Sequence, residues 1–397
     1  MKVIYGNIAS PLGFSADGLH AGFKKKKVDL GWVVSEVPAS VAGVYTTNKI
    51  IAAPLVVTKD AVAKAGKMQA IVANSGCANS CTGQQGLDDA STMQKWTAEK
   101  LGIKQEMVGV ASTGVIGEFL SMKVLKNGLS KLVVNGNADS FSQAILTTDT
   151  GIKTVAVTEM FGHATVTMAG VAKGSGMIHP NMATMLAFIT CDATISSETL
   201  QLALSQNVEK TFNQITVDGD TSTNDMVLVL SNGYALNQEI LPDTPDFEKF
   251  STMLHFVMQD LAKKIASDGE GATKLIEVNV VNAPNTEAAR MMAKSVVGSS
   301  LVKTAIFGED PNWGRILAAV GYAGVEVPVE NIDIKLGKLP VMLASKPVSF
   351  DEGEMVDIMQ KKQIVITVDL HSGNASGQAW GCDLSYDYVK INALYRT

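Results

Sequence analysis

Strand-like runs recur along the whole chain with helical patterns between them, and this alternation restricts the fold more than any other property. Residues 69–73, 154–158, 164–168, 226–230, 275–281 and 363–370 are rich in aliphatic and β-branched side chains. In Ile276-Glu277-Val278-Asn279-Val280 apolar and polar residues alternate, which is the period of a strand with one covered face. The clearest helix opens at Thr244-Pro245-Asp246, a cap, a proline at the first helical position and an early acid. It continues through Phe247, Phe250, Leu254, Val257, Leu261 and Ile265 at spacings of three and four. Further helices are expected from about residue 284 to 297 and from about 197 to 212. No tandem repeat or low-complexity linker interrupts the pattern. The expectation is a mixed α/β chain, folded as one intimately packed unit or as two lobes sharing a cleft.

Composition narrows the function. Of 397 residues, 46% are hydrophobic and 18% charged, which excludes a disordered chain and provides a large core. A net charge of -6, from 33 basic and 39 acidic residues, argues against a nucleic-acid surface. Lys24, Lys25, Lys26 and Lys27 form the one basic run. Without interleaved aromatics it reads as a solvated loop after Gly22. The opening residues lack an apolar stretch of signal-peptide length, and no apolar run reaches about 18 residues. Cys77, Cys81, Cys191 and Cys382 are too sparse for a disulfide scaffold. A cytoplasmic protein is expected.

The richest chemistry lies in residues 173–186, KGSGMIHPNMATML. Threonine hydroxyls are poor nucleophiles unless a base takes their proton. Breaking the Ala183-Thr184 bond would place an α-amine, of ordinary pKa about 7.7 to 8.0, beside the Thr184 hydroxyl and so supply that base. Gly174-Ser175-Gly176 permits unusual backbone conformations, Pro180-Asn181 favours a turn, and a small Ala183 leaves room for attack. Taken by itself, the segment also reads as a glycine-rich loop running into a buried strand at Met185-Leu186-Ala187-Phe188-Ile189, and residue chemistry favours that simpler reading.

Other segments offer supporting parts. Ser112-Thr113-Gly114-Val115-Ile116-Gly117 follows an apolar run and can aim backbone N–H groups at an oxyanion, or merely end a strand. The oxygen-rich run from Asp218 to Asp225 fails the EF-hand test, with Thr223 at the sixth position and Val229 at the twelfth, and reads as a hydrogen-bonded turn. Ser267-Asp268-Gly269-Glu270-Gly271-Ala272-Thr273-Lys274 lacks Walker spacing and reads as a helix-ending turn, in which Glu270 offers a carboxylate to an ammonium group. His20, His163, His179, His255 and His371 show no zinc-site spacing, and no GxSxG elbow occurs. Satisfied or surface histidines, and no metal, are expected.

Jointly these segments resemble the glutamate N-acetyltransferase (ornithine acetyltransferase) family of arginine biosynthesis over nearly the whole chain. The matching blocks are the opening segment, Gly43-Val44-Tyr45-Thr46-Thr47-Asn48, Asn74-Ser75-Gly76, Ser112-Thr113-Gly114, Thr147-Thr148-Asp149-Thr150, the stretch around Ala183-Thr184, residues 268–274, Gly308-Glu309-Asp310-Pro311-Asn312-Trp313-Gly314-Arg315, and residues 388–397. The resemblance implies autoproteolysis between Ala183 and Thr184, giving an α fragment of residues 1–183 and a β fragment of residues 184–397 that form one intertwined unit. It further implies Thr184 as nucleophile, Thr113 and Gly114 as the oxyanion hole, and Thr150, Lys173, Thr184, Glu270, Asn392 and Thr397 as substrate-binding residues.

The fold implied is a layered αββα sandwich, similar to amino-terminal nucleophile hydrolases but differently connected, and two α and two β fragments are expected to assemble. The reaction implied is ping-pong acetyl transfer: Thr184 takes the acetyl group of N-acetylornithine, ornithine leaves, and glutamate accepts the group from the threonine ester. No cofactor is expected, with acetyl-CoA a candidate co-substrate. Cys77 stands where the family usually has asparagine, either supporting the oxyanion turn or packing as a small hydrophobe. Gly31-Trp32 departs from the family's more aliphatic run without touching the chemistry. The competing readings are an amidohydrolase or aminopeptidase of the amino-terminal nucleophile type, and a non-catalytic amino-acid-binding protein.

Overall fold

The structure is a computed structural model that describes residues 1–179, 185–326 and 329–394. Their folding is mixed α/β and divides into two compact units. Of the described residues, the first unit takes 1–174, 185–209 and 221–261; the second takes 175–179, 210–220, 262–326 and 329–394.

Among the described residues the first unit holds a nine-stranded sheet. Its order is Lys2–Ile4, Lys153–Phe161, Ala164–Lys173, Leu186–Cys191, Met226–Ser231, Leu30–Tyr45, Lys67–Cys77 and Val108–Val115, with Phe14–Leu19 also paired to Leu30–Tyr45. Leu186–Cys191 runs antiparallel to Ala164–Lys173 and parallel to Met226–Ser231, while Lys67–Cys77 and Val108–Val115 are parallel. Every residue of Leu186–Cys191 and Met226–Ser231 is buried, and these strands are near-continuous apolar runs, broken only by Thr190 and Ser231, without alternation. The long strand alternates its burden between two clusters: Val33 and Val41 pack with Phe141, Phe188 and Leu228, whereas Trp32 and Val34 pack with Val72, Met93 and Val110. Its register shifts between Val34 and Ala39, where Pro38 sits, a position at which a proline costs no ladder bond.

The second unit carries a seven-stranded sheet among the described residues, in the order Lys346–Pro347, Leu339–Leu343, Asp333–Leu336, Gln363–Asp369, Leu275–Ala283, Ala375–Cys382 and Ile215–Thr216. The helix Thr286–Gly298 packs on Leu275–Ala283 and Ala375–Cys382. Ile276, Val278, Val280, Ile364, Ile366 and Val368 face the resulting core. The alternate residues form a polar face, where Glu277 accepts hydrogen bonds from Trp380 Nε1 at 3.0 Å and pairs with Lys263 at 3.0 Å.

The expected helices form with their caps. Phe247 N donates to Thr244 Oγ1 (3.2 Å) at the head of Pro245–Ser267, and Ala288 N donates to Asn285 Oδ1 (2.8 Å) at the head of Thr286–Gly298. The helix capped by Ser196 is shorter than expected: it runs Ser197–Val208, and a separate 3-10 turn forms at Phe212–Gln214 after the backbone breaks at Thr211 (φ -128, ψ -93).

Candidate active site

In the first unit, the strand Val108–Val115 ends in a conformation that only glycine suits. Gly114 has φ +132 and lies in register with Gly76 at φ +105. A Cβ on Gly114 would stand 2.4 Å from the carbonyl carbon of Gly76, so two glycines are needed for the strands to meet. Asn224 fixes this end of the sheet, its Nδ2 donating to the carbonyls of Ser112 (2.8 Å) and Ala78 (2.6 Å). Beside it Lys173, the last residue of its strand, donates from Nζ to Thr113 Oγ1 at 3.2 Å; both residues are buried. The expected oxyanion residues and an expected substrate-binding cation thus come together.

Charge is dense here. Asp149 is buried and accepts hydrogen bonds from Lys153 Nζ (2.7 Å), Gly174 N (2.7 Å) and Thr147 N (2.9 Å). Burial alone would raise its pKa, but Lys173, Lys153 and the Thr147 amide outweigh it and hold the carboxyl at about 2. Thr150 follows at the exposed end of the same turn. Asp225 behaves oppositely: burial pushes its carboxyl well above the usual range against the opposing effects of Ser222 and Lys173, and its Oδ2 has no hydrogen-bond partner. Sequence reasoning missed Asp149, Lys153 and Asp225. Asp149 lies inside a block quoted for the resemblance and Asp225 ends the oxygen-rich run, yet no local pattern reveals either one's burial.

In the second unit, Glu270 is buried after the helix Pro245–Ser267 and accepts a hydrogen bond from Asn392 Nδ2 at 2.8 Å. A Cβ on Gly176 would stand 2.4 Å from the Glu270 carboxyl carbon, so glycine there admits the carboxylate. Backbone ties hold the pair: Glu270 N donates to Ser175 O (3.0 Å) and Ser175 Oγ to Asp268 O (2.7 Å). The turn from Asp218 is hydrogen-bonded as expected, Asp218 accepting from Met177 N (2.6 Å), Ile178 N (2.9 Å) and Tyr388 Oη (3.2 Å). Ala183, Thr184 and Thr397, with Pro180 and Asn181, lie outside the described residues.

Cys77 packs in the core and donates weakly from Sγ to Glu118 O (3.3 Å), with burial raising its pKa. Asn74, not the side chain of residue 77, braces the turn expected to hold the oxyanion, its side chain reaching Cys77 O (3.0 Å) and Ser112 Oγ (2.6 Å). His179 meets Thr216 Oγ1 at 3.0 Å and is held near pKa 4 by burial and then Lys294, against Asp218. Among the described residues no cluster of three His, Cys, Asp or Glu side chains could hold a metal, and no helix is long and apolar enough to cross a membrane. The basic run behaves as a solvated loop at Lys25, Lys26 and Lys27, which are exposed. Lys24 departs from that expectation, being partly buried against Leu146.

Comparison with known proteins places this geometry. The model of the ArgJ family matches residues 15–397. The chain is 80% identical over its full length, and the full length of the relative, to the arginine biosynthesis bifunctional protein ArgJ of Streptococcus thermophilus. It is 69% identical over both full lengths to that of Staphylococcus epidermidis. A crystal structure of the Bacillus halodurans protein matches with a TM-score of 0.52 at 54% identity, covering 53% of this chain and 99% of that one. The chain belongs to the ArgJ family.

Proposed function

We propose that the chain cuts itself between Ala183 and Thr184 and then uses Thr184 to carry an acetyl group from N-acetylornithine to glutamate. The protein is a bifunctional acetyltransferase of arginine biosynthesis, as its family membership establishes. In the reading offered here, Thr184 attacks the acetyl carbonyl while its own α-amine takes the hydroxyl proton. Thr113 and Gly114 stabilise the oxyanion, and ornithine leaves with the proton. Glutamate attacks the resulting ester and regenerates the hydroxyl. Lys173 takes a substrate carboxylate and Glu270 a substrate ammonium, with Thr150, Asn392 and Thr397 adding hydrogen bonds. Acetyl-CoA acetylating glutamate is the second activity proposed for this bifunctional chain, and no further cofactor is required. Two α and two β fragments in the cytoplasm complete the proposal.

The observation that carries the reading is the contact of Lys173 Nζ with Thr113 Oγ1 beside a glycine pair that only a specialised strand end requires. The crystal chain of the Bacillus halodurans relative adds support for cleavage. It is almost wholly matched yet covers 53% of 397 residues, or about 210, close to the 214 (397 minus 183) of a fragment starting at Thr184. Denaturing electrophoresis should give two bands from the purified chain and one from Thr184→Ala. Acetyl transfer is read by incubating N-acetylornithine with and without glutamate. A single uncut band in both proteins, or acetate release that ignores glutamate, would overturn the proposal.

A further inference from the structure

Lys24 is held in place before any substrate arrives. The carboxylate of Asp29, itself fully buried, accepts the backbone amides of Ala21 (2.6 Å), Gly22 (3.1 Å) and Lys24 (2.8 Å), so the turn bearing Lys24 is wrapped around a fixed anion. Ser75 N donates to Asp29 O (2.9 Å), tying that turn to the strand that carries Gly76. A Cβ on Gly76 would meet Phe23 O at 2.9 Å and Lys24 Cγ at 3.2 Å, so the lysine stem lies against the glycine that faces Gly114. Its Nζ donates to Leu146 O at 3.0 Å, one residue before the turn 147–150. An ammonium has three donors. Among the described residues that carbonyl is the only hydrogen-bond partner of the Lys24 side chain, which leaves two donors for a ligand.

The surrounding charge favours an anion. Two carboxylates face Lys24, and both are already engaged: Asp29 by three backbone amides, and Asp149 by Lys153, with Lys173 also beside it. The two substrates proposed above differ at their far ends, an ammonium on ornithine and a carboxylate on glutamate. A pocket serving both needs a group that reads the carboxylate of one alone. We infer that Lys24 binds the side-chain carboxylate of the acidic acetyl acceptor and so determines acceptor specificity, an inference that rests on the acetyltransferase reading.

Burial lowers the Lys24 pKa to about 8, with Asp29 and Asp149 opposing and Lys27 and Lys173 adding to the shift. The ammonium therefore loses its charge on the alkaline side of neutrality. Steady-state transfer by the full chain tests the assignment. Lys24→Gln should raise KM for glutamate about tenfold, the scale of one charge-assisted hydrogen bond, and change KM for N-acetylornithine less than about twofold. Glutamine as acceptor should distinguish the two proteins no further. Lys24→Arg should keep KM for glutamate near the wild-type value and abolish its rise above pH 8, because guanidinium stays charged. Equal rises for both substrates would mean that Lys24 holds the shared α-carboxylate and would overturn the inference, as would no change for either. Should Lys24→Gln fail to fold, matching pH profiles of wild type and Lys24→Arg overturn it instead. Wild-type protein that moves no acetyl group sinks the activity reading. The contact is then read by calorimetry, and equal affinities for glutamate and glutamine overturn it.

Discussion

The two units hold their polar residues by different physical means. In the first, Asp149 sits among three lysines and two backbone amides, and its charge is bound up with the folding of the sheet ends. In the second, Glu270 has one neutral side-chain partner among the described residues, Asn392, and a space left by Gly176. Charge pairing secures the one; shape secures the other. The same chemical edit, an acid changed to its amide, should therefore have different consequences in the two places.

Asp149→Asn should cost about 3–5 kcal/mol, because it removes one charge of a buried ion pair with Lys153, and urea unfolding reads the loss directly. Gly114→Ala sharpens the picture at the neighbouring turn, where the added Cβ meets the Gly76 backbone; kcat should fall roughly 10²–10³-fold, as when an oxyanion donor is misplaced. Glu270→Gln is the counterpart of the first edit. It should raise KM about tenfold while shifting stability by less than about 1 kcal/mol, since an amide oxygen still accepts from Asn392. If it destabilised the chain as much as Asp149→Asn, the contrast between the units would be lost.

The smallest effect is in acid. His179, in the second unit, is held neutral with a pKa of about 4, so its contribution is complete above the ordinary value of about 6.5 and is lost as pH falls through 4. Asp149 contributes fully above the ordinary carboxylate value of about 3.9, and that contribution is lost only as pH falls through about 2. Between pH 6.5 and 4, hydrogen-exchange protection corrected for the intrinsic rate should fall around residues 175–179 and 210–220 before it does around Asp149. His179→Gln should flatten that dependence.

One strand of the second sheet was legible by its period, for a reason visible in Ile276, Val278 and Val280. One face is apolar and the other carries Glu277 and Asn279, so the period survives in the residues. Strands buried on both faces, such as Leu186–Cys191, keep no period, and Leu30–Tyr45 is further masked by Pro38 at its bulge. The site was legible where glycine or a family block marked it, as at Gly114, Lys173 and Glu270. Lys24 was hidden because a run of four lysines looks uniform, whereas burial singles out the first. The opposed shifts of Asp149 and Asp225 turn on how deeply each is buried and on Lys173, distant from both in sequence, which no local pattern can report.

The strand order of the first sheet has a consequence for the life of a cut chain. Leu186–Cys191 and Met226–Ser231 lie side by side, flanked by Ala164–Lys173 on one edge and Leu30–Tyr45 on the other. After a break at residue 183, two strands of the downstream piece would remain laced between strands of the upstream piece. Losing the peptide bond would then change the molecularity of unfolding rather than the native contacts. The midpoint of the cut protein should rise more steeply with its concentration than that of an uncut variant.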